Sequence, residues 1–291
     1  MPLISTTTST GTRRAPVTAV IDALHPTGHI GLGPALRAHG ALGCHPTTVV
    51  TAIRPLTPLP ARLVCDQLER ALVVTPDALG VGDPGDHPEP LIDALIDARQ
   101  AGRPAQGKPL LLAPNAVDRR RSPRFDPAHL ATLAERLMPH AEAVVLDGDE
   151  AALLTGRACP DLQRLREAAR RIHDFGASWI VATGGRTQGH AVDLVYDGRD
   201  FTEFGSSRRA IDHQAGAGVV FAHLLLGWRA RGLPLLDAVD QAKRGVDAAL
   251  AHASRVGRAA RVEPLGAAYR ALGLDPRPIV VPDPDGDASP G

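Results

Sequence analysis

Short apolar runs recur along the chain, separated by polar, glycine-bearing breaks and by segments of helical period. Val17–Ile21, Thr47–Ile53, Ala78–Gly82, Leu110–Pro114, Ala143–Leu146 and Trp179–Ala182 have strand length and few charges, as strands buried on both faces do. Helices are predicted between them, over Pro34–Gly43, Pro60–Leu72, Leu91–Ala101, Ala128–Met138, Asp149–Gly156 and Leu162–Phe175. In the second of these, Leu63, Val64, Gln67, Leu68 and Ala71 keep one face apolar except at Gln67. Strands alternating with helices through short connections imply βαβ units, a parallel sheet and one domain. Ala191–Tyr196 alternates like a half-buried strand, Asp197-Gly198 suits a hairpin turn, and Phe201–Phe204 returns. Val219–Leu226 is too long and apolar for most strands and predicts a buried helix; a last helix is expected over Leu236–Arg255. The Thr-rich start, residues 1–14, and the Pro/Asp/Gly tail, 282–291, read as disordered, leaving 15–281 as the domain.

Composition adds little except exclusions. The chain has 291 residues, 44% of them hydrophobic, and a formal net charge of zero, so nothing favours nucleic acid or an anionic membrane as partner. No apolar run approaches the roughly 20 residues of a spanning helix. Cys44, Cys65 and Cys159 are widely spaced and odd in number, which suits free thiols in a reducing, cytoplasmic setting. With 3% aromatics, the core must be built from Ala, Leu, Val and Ile.

Candidate chemistry concentrates after Trp179. Gly216-Ala217-Gly218 stands directly before the apolar helix. Glycines there leave backbone N–H groups uncovered at the positive end of a helix dipole, an anion site suited to phosphate. The same spacing also serves a tight turn that packs a helix on a sheet. Thr183-Gly184-Gly185 breaks the chain after the preceding apolar run.

In this order, Val181-Ala182-Thr183-Gly184-Gly185, then Ala191-Val192-Asp193-Leu194-Val195-Tyr196-Asp197-Gly198, then the Gly-Ala-Gly helix start, the chain resembles the ribokinase superfamily. Within it, the closest likeness is to the hydroxymethylpyrimidine/phosphomethylpyrimidine kinase family of thiamine biosynthesis. The resemblance runs from Val17 to Leu265 and is dense after Glu142. It implies a three-layer α/β/α sandwich with a mostly parallel sheet, ATP and Mg²⁺ as cofactors, a small-molecule substrate and a homodimer. It assigns Thr183, Gly184 and Gly185 to the nucleotide, and Asp147 and Glu150 to the nucleotide phosphates and magnesium. It places His25, Gly28, Ala35 and Leu56 at the substrate, and Gly216, Ala217, Gly218 and Val219 at the reacting phosphate.

The chain departs from that pattern where the chemistry lies. The residue after the second glycine is Cys in the family, or Asp in the sugar kinases, and acts as base; here it is Val219, which accepts no proton. The family's loop aspartate falls near His25, its helix-opening aspartate at Ala35, its pyrimidine-reading Gln near Leu56 and its magnesium-handling aspartate at Ala113. The expectation is an impaired kinase of a small hydroxymethyl heterocycle, with Asp212 or His213 as substitute bases. A non-catalytic relative that binds a ligand, or a kinase reading a different substrate through His25, His29 and Arg54, are the alternatives. His25, His29, His39 and His45 match no metal-binding spacing, and Arg119-Arg120-Arg121 reads first as a solvated loop and second as a phosphate contact.

Overall fold

The computed structural model describes residues 14–261 except 27, 29, 118–121, 125, 185–190, 207–215, 252, 253, 257 and 258. Nine strands form one sheet: β1 (Val17–Leu24), β2 (His45–Ile53), β3 (Thr57–Pro58), β4 (Ala78–Val81), β5 (Leu110–Leu112), β6 (Ala143–Asp147), β7 (Trp179–Thr183), β8 (Ala191–Tyr196) and β9 (Phe201–Ser206). Their spatial order is β3-β2-β1-β4-β5-β6-β7-β8-β9. β2, β1, β4, β5, β6 and β7 run parallel; β3 and β8 are antiparallel to their inner neighbours. The chain moves from β1 outward to β2, then crosses back to β4 on the other side of β1. That reversal opens a crevice beyond the C-terminal ends of β1 and β4, where open α/β sheets bind ligands.

The helices are α1 (Leu32–Ala41), α2 (Ala61–Leu72), α3 (Pro88–Ala98), α4 (Pro127–Thr132), α5 (Gly148–Thr155), α6 (Leu162–His173), α7 (Ala217–Ala230) and α8 (Leu235–Ala251). α2, α3, α5 and α6 bury Leu68, Leu91, Leu95, Ala151 and Leu165 on one face of the sheet with Ile21 and Leu79. α1, α7 and α8 bury Leu32, Ala35, Phe221, Leu225 and Val239 on the other face with Val20 and Leu111. The sandwich is therefore the three-layer arrangement that the alternation implies. α7 is apolar all round because neighbours cover it on several sides: the sheet, α1 and α8.

Three expectations need adjusting. The last helix stops at Ala251, and Ser254–Val256, containing Arg255, pairs antiparallel with Ala259–Arg261. The following Val256 and Gly257 are poor helix residues, which favours ending the helix early. The predicted helix over Ala128–Met138 is α4 followed by a π turn, Leu133–Leu137, and a 3₁₀ turn, Met138–His140, with Pro139 ending the regular ladder. The hairpin turn spans Asp197–Asp200 rather than two residues, because the Asp197 carboxylate accepts the N–H groups of both Arg199 and Asp200. Cys44, Cys65 and Cys159 are free thiols. Among the described residues no helix is long and apolar enough to cross a membrane.

Candidate functional site at the strand ends

α7 starts at the crevice. Gly216, its N-cap, has φ 92°, a left-handed conformation that glycine adopts without strain. Among the described residues no side chain caps the helix, and its first bond is Val220 N–H to the Gly216 carbonyl. The N–H groups of Ala217, Gly218 and Val219 thus precede the ladder, at the positive end of the helix. Gly218 is exposed, and nothing of the described chain lies within 4 Å of where its Cβ would be. Val219 is 8% exposed and packs inward.

A second group gathers at the ends of β6 and β7. Asp147 pairs in register with Thr183 across the two strands. The Asp147 carboxylate caps α5, accepting N–H from Asp149 and Glu150 at 3.0 Å each. Glu150 closes the capping box: Oε2 accepts from Asp147 N at 2.9 Å, and Oε1 accepts from Ala116 N at 2.6 Å. Glu150 therefore braces the turn after β5 against the start of α5. Gly184 N–H is held by the Asp193 carboxylate at 2.9 Å, and Lys243 Nζ of α8 lies 2.7 Å from the same carboxylate. Burial raises the Asp193 carboxyl against the pull of Lys243 and of the Gly184 N–H. The Asp193–Lys243 pair thus fixes where the Thr183–Gly184 turn leaves the sheet. Asp147 offers hard oxygen at a strand end, the donor type for Mg²⁺, which takes one or two carboxylates plus phosphate oxygens. Among the described residues no group of three or more His, Cys, Asp or Glu forms a metal cage.

The third group lines the ends of β1, β2 and β4 and is strongly charged. Arg54 Nε lies 2.8 Å from Asp83 Oδ2, and its Nη1 lies 2.9 Å from Asp86. These bonds raise the Arg54 pKa, with the Asp83 hydrogen bond foremost. Asp22, 5% exposed, accepts N–H from Ala23 at 2.7 Å and from Asp83 at 3.0 Å, both through Oδ1. Burial, then the Asp83 charge, pushes its carboxyl up to about 7. His25 is half-buried and held down to about 4, by burial first and then by Arg124. Gly28 hydrogen-bonds back to the His25 carbonyl, and its own carbonyl accepts from Arg37 Nη2 at 2.6 Å. Ala35 is fully buried in the first turns of α1.

Not every expected residue joins these groups. Leu56 stands 73% exposed in the turn joining β2 to β3, where its N–H bonds the Ile53 carbonyl. His39 is buried inside α1 against His223 of α7, with ring centroids 5.6 Å apart, and His45 opens β2 at the opposite end of the sheet. With His25 at the crevice, these three histidines are dispersed and form no metal site. Ala113, just beyond β5, packs against the α1–α7 layer. Gly185, His29, Arg119, Arg120, Arg121, Asp212 and His213 lie outside the described residues.

Sequence reasoning missed Asp22, Asp83, Asp86 and Lys243. Asp22 carries a legible signal, being a lone charge in the apolar run of β1. The others become visible only when β1, β4 and α8 are placed side by side.

Comparison with known proteins agrees with this fold. The family model described as Phosphomethylpyrimidine kinase matches residues 26–263. A hydroxymethylpyrimidine/phosphomethylpyrimidine kinase of Mycobacterium tuberculosis is 29% identical over 241 residues, covering 79% of this chain and 86% of the relative. The thiamine biosynthesis bifunctional protein ThiED of Geobacter sulfurreducens is 38% identical over 135 residues, 46% of this chain but only 28% of that longer protein. The pyridoxal kinase of Staphylococcus aureus, solved with pyridoxal, superposes with TM-score 0.77 at 24% identity over 87% of this chain and 94% of its own, which speaks to the fold. With most of its length matched, this chain belongs to the phosphomethylpyrimidine kinase family.

Proposed function

We propose that the protein is an ATP- and Mg²⁺-dependent phosphotransferase acting on a small hydroxymethyl heterocycle of the kind thiamine biosynthesis uses. Hydroxymethylpyrimidine itself is a poor acceptor in this reading. The observation that carries the proposal is the uncapped start of α7, open at Gly218 and set in a chain that matches the kinase family along most of its length. Phosphoryl transfer depends mainly on positioning and electrostatic stabilisation, and backbone N–H groups at a helix start supply both to a phosphate. Gly216, Ala217 and Gly218 would hold the transferred phosphate, Thr183, Gly184 and Gly185 the nucleotide, and Asp147, braced by Glu150, the magnesium. Bound there, Mg²⁺ neutralises charge on the phosphates. His25, Gly28 and Ala35 would border the acceptor. A cytoplasmic homodimer is the expected setting by family likeness.

Val219 supports a second reading, a relative that binds nucleotide or ligand without catalysis. Melting temperature and turnover of the full chain separate the two. The kinase reading expects ATP–Mg²⁺ to raise Tm and at least one of hydroxymethylpyrimidine, pyridoxal or pyridoxine to be phosphorylated. It expects hydroxymethylpyrimidine to turn over well below the ~1 per second of ordinary kinases. Failure of ATP–Mg²⁺ to raise Tm would sink the kinase reading, and turnover of hydroxymethylpyrimidine at an ordinary rate would show that Val219 and Ala35 matter less than this reading requires.

A further inference from the structure

Among the described residues the start of α7 carries no proton acceptor, and the carboxylate of Asp22 lies in the same crevice. Asp22 uses Oδ1 for both of its hydrogen bonds, to Ala23 N–H and Asp83 N–H. Oδ2 has no partner among the described residues.

Its position follows from the strand and helix periods. Val20 belongs to the layer under α1 and α7 and Ile21 to the opposite layer, so Asp22, two residues beyond Val20, faces α7. Gly82 agrees: a Cβ there would collide with the Asp22 carboxylate, which occupies that side of β4's end. α7 runs antiparallel to the strands, since His223 hydrogen-bonds the backbone of Gly31 at the crevice while Gly227 packs on His39 and Leu42 at the far end of α1. A Cβ at Gly80 would collide with Leu226, so that residue marks where α7 crosses β4. From Gly80 to Gly82 is about 7 Å along the strand, and from Leu226 back to Val219 is about 10 Å along the helix. Measured along the helix axis, the Asp22 carboxylate therefore lies within about one turn of the level of Val219, on the sheet side of the same crevice.

We infer that Asp22 is the proton acceptor of this kinase, supplied by the end of β1 in place of a base on the helix. The inference rests on the kinase reading given above. In the step, the hydroxymethyl O–H bond breaks and its proton passes to Asp22 Oδ2. The oxygen forms a bond to the γ-phosphorus of ATP while the bond from that phosphorus to the β-phosphate bridging oxygen breaks, and ADP leaves. Asp22 then releases the proton to solvent. Burial suits the group to this role, because a carboxyl poised near neutral pH is half ionised and still a competent base. The other charged groups around it do not compete. Arg54 is held by Asp83 and Asp86, Arg124 acts on Asp22 only through its charge, and His25 and His223 stay neutral because burial holds both down to about 4.

The test is kcat/KM against pH for the parent, Asp22→Asn, Val219→Asp and the double variant. It uses whichever of hydroxymethylpyrimidine, pyridoxal or pyridoxine the parent phosphorylates fastest. The parent should rise with pH through an inflection near 7. Asp22→Asn should fall at least about 100-fold, the ordinary worth of a general base, and lose the inflection, with KM for ATP unchanged. Adding Val219→Asp to Asp22→Asn should return at least tenfold of the lost rate, which no repair of a merely structural defect would do. Asp22→Asn within threefold of the parent, or a retained inflection, overturns the assignment. So does a parent that binds ATP–Mg²⁺ but phosphorylates none of the three, an outcome that leaves the nucleotide site standing. A parent that binds no ATP–Mg²⁺ overturns the kinase reading instead.

Discussion

The two ends of the crevice are built from different materials. On the β6–β7 side, with the start of α7, the working parts are backbone: a left-handed Gly216, an uncapped helix start and a Thr183–Gly184 turn pinned by Asp193. On the β1–β2–β4 side they are side chains: Arg54, Asp83, Asp86, His25 and Asp22. Backbone N–H groups need only a chain path, so a few glycines and a capping box preserve the chemistry while the sequence drifts. Side-chain chemistry changes with every substitution, and here it is an ion-paired, acidic floor. In the function proposed above, the first end would hold the nucleotide and the second would border the acceptor.

The largest expected effect sets the two ends side by side. Lys243→Met and Arg54→Met each leave a buried carboxylate, Asp193 or Asp83, without its partner. Breaking a buried pair from one side costs roughly 3–5 kcal/mol, to be read by urea unfolding. The two should then part: Lys243→Met weakens ATP binding because Gly184 loses its anchor, and Arg54→Met does not. Equal losses of ATP affinity would erase the distinction.

Next comes the pH dependence of stability at Asp22. Its folded pKa, about 7, lies above the ordinary 3.8, so the folded state holds a proton that the unfolded chain has lost between those values. Stability from this group is present at low pH and declines as pH rises toward 7. Asp22→Asn keeps an oxygen for the two N–H groups and removes the decline. It should be more stable than the parent at pH 8 by up to about 4 kcal/mol, with a smaller gain at pH 5. Thermal melts at both values check this; a parent whose Tm does not depend on Asp22 across that range would mean the carboxyl is not perturbed.

Two glycine substitutions give smaller, sharper contrasts. Gly218→Val meets open space among the described residues, so Tm should hold within a few degrees while ATP affinity falls about tenfold or more, about 1.4 kcal/mol of binding. Gly82→Ala should leave ATP binding intact but displace the Asp22 carboxylate, lowering turnover without touching the KM for ATP.

How much of this was legible in the sequence follows the same division. The strands and most helix bounds were readable, because strands buried on both faces are continuous apolar runs and Asp147 and Asp161 cap their helices in the sequence itself. The Gly216 helix start and the Asp147–Glu150 pair were readable as local motifs. The exposure of Leu56 was not legible, because motif spacing says nothing of how a tight turn presents its side chain. The Arg54–Asp83–Asp86 network and the Asp193–Lys243 pair join residues distant in sequence, and only the sheet order brings them together.

The central proposal is that the end at β6, β7 and α7 binds the nucleotide while the end at β1, β2 and β4 does not read hydroxymethylpyrimidine. Isothermal titration of the full chain measures it most directly, first with ATP–Mg²⁺ and then, at saturating ATP analogue, with hydroxymethylpyrimidine. The account predicts saturable binding of ATP–Mg²⁺, with heat lost in Gly218→Val, and no measurable binding of hydroxymethylpyrimidine. Tight binding of hydroxymethylpyrimidine with no binding of ATP–Mg²⁺ would contradict it.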